Sequence, residues 1–144
     1  MIFLQSSHAA DAGHYFQQAA GRIAEARKKG AKLVVMDPRL SNSAGMADLW
    51  VPCWPGTETA LYLYLANRIL NEKGLNGEDL VNHNFVKNWV NWDHLMKDRE
   101  YLNVLVEKGY IKSVPAGDSY EEFIEMISEM YSPYTLDFVA EECR

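Results

Sequence analysis

The sequence predicts an α/β fold: a small parallel sheet of about three strands with flanking helices, then a helical second half. Three observations predict it. The apolar runs Ile2-Phe3-Leu4 and Lys32-Leu33-Val34-Val35-Met36-Asp37 flank a segment with helical spacing. A third short run, Leu49-Trp50-Val51-Pro52, ends on a proline. After Pro55-Gly56 the remaining patterns read as helices.

Taken in order, Ile2-Phe3-Leu4 is a short strand. The spacing predicts a helix over His14 to Lys29, with Phe16, Ala19, Ala20, Ile23 and Ala24 on its apolar positions. Arg27, Lys28 and Lys29 crowd its last turn, and Gly30 follows as the C′ residue. The run 32–37 is continuous and apolar, as a strand buried on both faces requires. Strand, helix, strand in about thirty residues is a βαβ unit with a right-handed crossover. Pro38 to Ala47 is a loop. Thr57 caps a helix running to about Lys73, stopped by Gly74. Ala60 to Ala66 is apolar nearly all round, so this helix calls for burial on most sides, whereas the small sheet covers one. A large exposed patch and self-association are therefore expected. Helices are expected over Asp79–Asn91, Asp93–Lys108 and Ser119–Tyr131, the last opened by the capping box Ser119-x-x-Glu122. Thr135 caps a final helix. No repeat or linker divides the chain, so residues 1–144 are expected to form a single domain.

Composition excludes several classes. Hydrophobic residues make up 48% and charged residues 24%, which is globular rather than disordered. The net charge is −6, from 20 acidic and 14 basic residues, with no basic stripe for nucleic acid. No apolar run approaches the ~20 residues of a membrane span, and Met1-Ile2-Phe3-Leu4-Gln5 lacks the pattern of a signal peptide. Nothing here fixes a localisation. Cys53 and Cys143 form no disulfide framework, and Cys53 reads as a packed thiol. His8, His14, His83 and His94 have no metal-ligand spacing and read as surface or capping residues. Arg22, Arg27, Lys28, Lys29 and Lys32 read as a solvated helix end, and Trp50, Trp54, Trp89 and Trp92 as packing residues. Trp89 and Trp92 fall three apart on one helical face, suited to burial against a further domain.

Two features carry chemistry. Asp37 ends the second strand, where open α/β sheets bind ligands and an acid accepts ribose or base donors. It suits a turn residue before Pro38 equally well. Pro55-Gly56-Thr57-Glu58 is a turn running into a helix N-terminus. It offers either free N–H groups at Gly56, Thr57 and Glu58 with a carboxylate for a purine edge, or a plain Thr cap with a dipole-stabilised Glu. The first turn, Gln5-Ser6-Ser7-His8-Ala9-Ala10-Asp11, has no G-x-G-x-x-G, which disfavours a nicotinamide or flavin enzyme.

Together the motifs form a long ordered string: Asp37-Pro38-Arg39-Leu40-Ser41, then Ala47-Asp48-Leu49-Trp50-Val51-Pro52, then Trp54-Pro55-Gly56-Thr57-Glu58-x-Ala60-Leu61. Here the sequence resembles the molybdopterin oxidoreductases of the dimethyl-sulfoxide-reductase type, which have a strand ending in Asp-Pro-Arg, then Ala-Asp, then Pro-Gly-Thr-Asp before Ala-Leu. Ala26-x-x-x-Gly30-Ala31-Lys32-Leu33-Val34-Val35 matches as well, and Tyr131 to Ala140 follows the family's Tyr-Thr-Pro-Glu helix start. The match is strongest from Ala26 to Leu70; from Asn71 to Gly117 it is only helical.

The resemblance implies a Rossmann-like unit that is part of a larger enzyme. Such enzymes hold molybdenum or tungsten between two molybdopterin guanine dinucleotides and perform two-electron redox or oxygen-atom transfer. By position, Gln5, Ser6, Ser7 and His8 would face the pyrophosphate. Asp37, Pro38, Arg39, Leu40 and Ser41 would wrap ribose and guanine, and Gly56, Thr57 and Glu58 would complete the pocket. Gln5 stands where the family has glycine, and Glu58 where it has Asp. The family's cysteine cluster for iron–sulfur and its metal-ligand loop have no counterpart, so those groups are expected elsewhere in the parent, with its other domains and electron-transfer subunits as partners. Alone, the chain is expected to be inactive. The competing expectation is a freestanding, non-enzymatic nucleotide- or partner-binding module.

Overall fold

The computed structural model describes residues 1–7, 9 and 18–143. Eleven elements follow in order: β1 (Ile2–Gln5), α1 (Ala19–Lys28), β2 (Leu33–Met36), α2 (Asn42–Gly45), β3 (Leu49–Val51), α3 (Glu58–Asn71), α4 (His83–Trp89), α5 (Trp92–Lys97), α6 (Arg99–Glu107), α7 (Tyr120–Tyr131) and α8 (Leu136–Glu142). They fall into two compact units: Met1–Glu58 with Cys143, and Thr59–Glu142.

The first unit holds the sheet, ordered β1-β2-β3. Both pairings are parallel: Gln5 stands opposite Met36, and Met36 opposite Val51. β2 is the middle strand, so it is the one that must be apolar throughout. Leu33 and Val35 are 0% exposed and form the core with Ala44, against Ile2, Leu4, Ile23, Ala47 and Trp50. The helix expected from His14 is seen from Ala19, and its first expected residues, 14–17, lie outside the described residues. Its end follows from the glycine. Gly30 adopts φ +93°, its N–H donates to the Arg27 carbonyl (2.9 Å), and the Ala31 N–H donates to Ala26 (3.0 Å). This paired closure needs a left-handed residue at C′.

Asp48 clamps the opposite end of the sheet. Its carboxylate accepts the Leu33 N–H at 2.8 Å and Lys32 Nζ at 3.2 Å, and pairs with Arg27 at 3.5 Å. The Leu33 N–H, then Lys32 and Arg27, hold the Asp48 carboxyl below the ordinary carboxylate range. Arg27 and Lys32, read from sequence as a solvated helix end, are therefore tied to one carboxylate.

The expected loop 38–47 contains a helical turn, α2. Ser41 Oγ accepts the Ala44 N–H at 3.2 Å, and this short cap makes a turn where Pro, Ser, Asn and Gly read as loop.

The second unit is helical. Its core gathers Met96, Leu102, Leu105, Ile111, Tyr120, Phe123 and Met126. The capping box at Ser119 forms, with Ser119 Oγ accepting the Glu122 N–H at 3.2 Å and Glu122 accepting the Ser119 N–H at 3.1 Å. At α8, Thr135 Oγ1 accepts the Phe138 N–H. Two expected helices differ. The one over Asp93–Lys108 divides at Asp98, whose backbone is non-helical (ψ 79°) and whose carboxylate caps α6 through the Tyr101 N–H at 3.0 Å. The one over Asp79–Asn91 begins only after Asn82, whose Oδ1 accepts the Phe85 N–H. In both, a short polar side chain competes with the helix for the backbone. Val90 is extended, so Trp89 and Trp92 sit on different helices rather than on one face. Trp92 packs against the core of its own unit, while Trp89 is 76% exposed. α3 is far less covered than its sequence calls for: Ala60 is its buried residue, and Tyr62, Leu65 and Ile69 are exposed.

Asp79 adds a pH dependence. Its Oδ1 accepts the Val81 N–H at 2.9 Å, and its Oδ2 meets His83 Nε2 and Lys73 Nζ, each at 3.3 Å. These donors, the Val81 N–H foremost, lower its pKa from 3.8 to about 2. A carboxyl depressed in the fold stabilises it above the unfolded pKa and loses that contribution as pH falls through the folded value. Asp79→Asn is therefore expected to flatten the stability loss between pH 4 and pH 2, read by circular dichroism during acid titration. An unchanged acid limb would contradict the assignment. His83, expected at the surface, is thus engaged on both ring nitrogens, the other one 2.7 Å from the Tyr120 hydroxyl.

Candidate functional site

Parallel pairing places the C-terminal ends of all three strands along one edge of the sheet. The segments leaving that edge are Ser6–Ser7, Asp37–Ser41 and Pro52–Glu58. Ten of the twelve site residues expected from sequence lie in these segments, and an eleventh, Gln5, is the last residue of β1. The twelfth, His8, lies outside the described residues.

After β1, the Ser6 N–H donates to the Met36 carbonyl at 3.0 Å, which extends the ladder by one residue. Ser6 then turns with φ +47°. A left-handed serine is uncommon and costs energy, and such residues cluster where a backbone is held for function. Gln5 and Ser6 are exposed, and Ser7 is half-buried.

Asp37 follows β2 and is 4% exposed. Its Oδ1 accepts the Arg39 N–H at 2.8 Å, its carbonyl accepts Trp50 Nε1 at 2.7 Å, and its own N–H donates to the Val51 carbonyl at 3.3 Å. Asp37 therefore does close the Pro38 turn, and it does so as a fixed carboxylate at the mouth of the sheet. Pro38, Arg39 and Leu40 project into solvent, Leu40 being 65% exposed. Ser41 spends its hydroxyl oxygen on capping α2. Sequence reasoning missed Trp50 as the residue that pins Asp37. The register supplies the signal, since Trp50 pairs with Val35 one strand over.

The third segment corrects an expectation. Its N–H groups do not all point outward. The Gly56 N–H donates to Glu58 Oε2 at 2.8 Å, and the Thr57 N–H and hydroxyl both reach the Trp54 carbonyl, at 3.1 and 2.8 Å. The turn closes on itself because Gly56 takes φ +95° and Glu58 folds back to the N–H two residues earlier. Glu58 thus acts first as a turn lock. Beside this turn lies an apolar cavity of about 430 Å³ lined by Pro38, Pro52, Cys53, Trp54, Pro55 and Cys143. Burial, with the charges of Glu58, Cys143 and Asp37 behind it, pushes the Cys53 thiol up. Cys53 is packed, as its sequence setting indicates. Among the described residues, no group of three or more His, Cys, Asp or Glu side chains is placed to hold a metal ion.

A three-stranded parallel sheet, a crossover helix and a buried acid at the end of the middle strand define a Rossmann-like α/β unit. No family model matches the chain. The sequence is 38% identical over 93 residues to acetylene hydratase of Syntrophotalea acetylenica, covering 65% of this chain and 12% of that enzyme. It is 30% identical over 99 residues to the nitrate reductase alpha subunit of Mycobacterium tuberculosis, covering 69% of this chain and 8% of that subunit. It is 38% identical over 69 residues to the F420-dependent formate dehydrogenase subunit alpha of Methanocaldococcus jannaschii, covering 48% of this chain and 9% of the relative. The chain is thus similar to one segment of these much longer molybdopterin oxidoreductases, spanning 8% to 12% of their length.

Proposed function

We propose that the C-terminal edge of β1–β3 forms part of a guanine-nucleotide site for molybdopterin guanine dinucleotide, within a molybdenum or tungsten oxidoreductase. The carrying observation is Asp37 at the end of the central strand, its carboxylate held by the Arg39 N–H and its backbone carbonyl by Trp50 Nε1. An acid so placed accepts hydrogen bonds from ribose hydroxyls or a guanine edge. The residues present fit such a group. Asp37 supplies the acceptor, Pro38 to Ser41 the wall of the nucleoside slot, and the apolar cavity beside Trp54 space for a flat ring. In this reading the first turn, Gln5, Ser6, Ser7 and, by sequence position, His8, is the pyrophosphate-facing segment, with the Ser6 N–H already given to the Met36 carbonyl. Gly56, Thr57 and Glu58 close the far side as a stiff turn rather than as free N–H donors.

When bound, the metal cofactor supplies two-electron redox or oxygen-atom transfer. This chain's own residues hold the nucleotide tail and fix its orientation; they do no bond-making. The rest of the parent enzyme, an iron–sulfur cluster carried there and electron-transfer subunits are the partners this role requires. The isolated chain is proposed to be inactive.

Calorimetric titration of the chain with guanosine diphosphate and, in parallel, with NAD tests the site. Saturable binding of guanosine diphosphate at least tenfold tighter than NAD is expected. Equal affinities, or NAD preference, overturn the reading. Metal analysis with a reductase assay tests the inactivity: bound metal with turnover would refute it.

A further inference from the structure

The chain has two cysteines, and the proposed nucleotide site gives neither thiol a chemical role, although both line the cavity assigned to its flat ring. They stand 90 residues apart in the sequence (143 − 53), yet both line the same apolar cavity. Cys143 Sγ donates to the Thr57 carbonyl at 3.5 Å. Thr57 is itself folded back onto the Trp54 carbonyl through its N–H and its hydroxyl. The Cys143 thiol therefore rests against the turn that follows Cys53. The two thiols also differ. Cys53 is 5% exposed, whereas Cys143 is half-buried and reachable from solvent.

We propose that Cys53 and Cys143 are an oxidisable dithiol pair, with Cys143 as the entry thiol and Cys53 as the resolving thiol, and that they close to a disulfide across this cavity. With glutathione disulfide as oxidant the balance is complete. The Cys143 thiolate attacks one sulfur of glutathione disulfide, forming a mixed disulfide and releasing one glutathione. The Cys53 thiolate then attacks the Cys143 sulfur, forming the protein disulfide and releasing the second glutathione. The two electrons and two protons lost by the protein reside on the two glutathione thiols. The order follows from access, because the half-buried Cys143 thiol meets the oxidant while the buried Cys53 thiol opens on the cavity that the two share. Resolution quickens as pH rises, since burial keeps Cys53 largely protonated at neutral pH. Closure draws the sulfurs to about 2 Å, which contracts the cavity.

The test uses the full chain, folded and dilute, incubated with glutathione disulfide and followed by intact mass and non-reducing peptide mapping. The expected product is a monomer two hydrogens lighter, with a peptide cross-linked between Cys53 and Cys143. Cys53→Ala is expected to stop at one glutathione adduct on Cys143. Cys143→Ser is expected to react at least tenfold more slowly than the parent chain, its remaining thiol being buried. Circular dichroism of both variants establishes that they are folded, and a third variant, Cys53→Ser, substitutes if Cys53→Ala is not. A wild-type chain that keeps both thiols titratable, halts at glutathione adducts, or cross-links only between molecules overturns the proposal. The readout involves no nucleotide, so its failure leaves the guanosine diphosphate titration to be judged separately.

Discussion

Leu102→Ala is expected to destabilise the helical unit by about 2–5 kcal/mol, among the largest losses any single substitution in this chain will produce. Leu102 is 0% exposed in the middle of α6, inside the cluster formed with Met96, Leu105 and Phe123. Truncating it removes the transfer free energy of the lost methyl groups and leaves a cavity that packed neighbours fill only in part. Leu102→Met, which conserves volume, is expected to cost less than about 1.5 kcal/mol. Leu65→Ala on α3 provides the contrast. Leu65 is 39% exposed, and its truncation should stay within about 0.5 kcal/mol. Urea denaturation read by amide hydrogen exchange along residues 99–131 separates these outcomes. Equal costs for Leu102→Ala and Leu65→Ala would show that the buried cluster does not carry the stability of this unit.

The same contrast explains what the sequence made legible. β2 reads correctly because a middle strand must be apolar on both faces, and Leu33, Val35 and Met36 are all buried. α7 reads correctly because a capping box is a local interaction whose partners lie three residues apart. The split at Asp98 escaped because periodicity continues across it, while one residue closes α5 with its backbone N–H and caps α6 with its carboxylate. α3 misleads in another way. Its composition calls for a buried helix, yet apolar side chains report a demand for cover and not its supply. At the site, residue types were legible but hydrogen-bond partners were not. That Asp37 stands at the strand end follows from pattern. That Gly56 and Thr57 spend their N–H groups inside the turn depends on Glu58 folding back and on Thr57 choosing the Trp54 carbonyl, and neither choice has a sequence signature. Asp48 shows the same limit: its three donors come from the end of α1 and the start of β2, brought together only by the sheet.

Asp37→Asn is expected to weaken guanosine diphosphate binding by about 10–100-fold while leaving the fold intact, the two effects being separable at this residue. The carboxylate has two duties. One is structural: Oδ1 accepts the Arg39 N–H at 2.8 Å and sets the turn after β2. An asparagine keeps a carbonyl oxygen for that N–H, and the Asp37 backbone bonds to Trp50 Nε1 and Val51 are untouched. The other duty, in the nucleotide reading, is to accept hydroxyl or guanine donors with a full negative charge. Hydrogen bonds to a charged group contribute about 1.5–3 kcal/mol each, against about 0.5–1.5 kcal/mol for neutral ones, so losing the charge costs on the order of one to two powers of ten in affinity. The decisive comparison is calorimetric titration beside thermal melting. Weaker binding with an unchanged melting temperature supports a ligand-facing carboxylate. Unchanged binding with a lowered melting temperature would leave Asp37 as a turn residue alone, and the nucleotide site would then have lost the observation that carries it. Asp37→Ala removes the Arg39 acceptor as well, so it should lower the melting temperature in addition to binding; a loss of binding confined to that variant would again assign Asp37 to the turn.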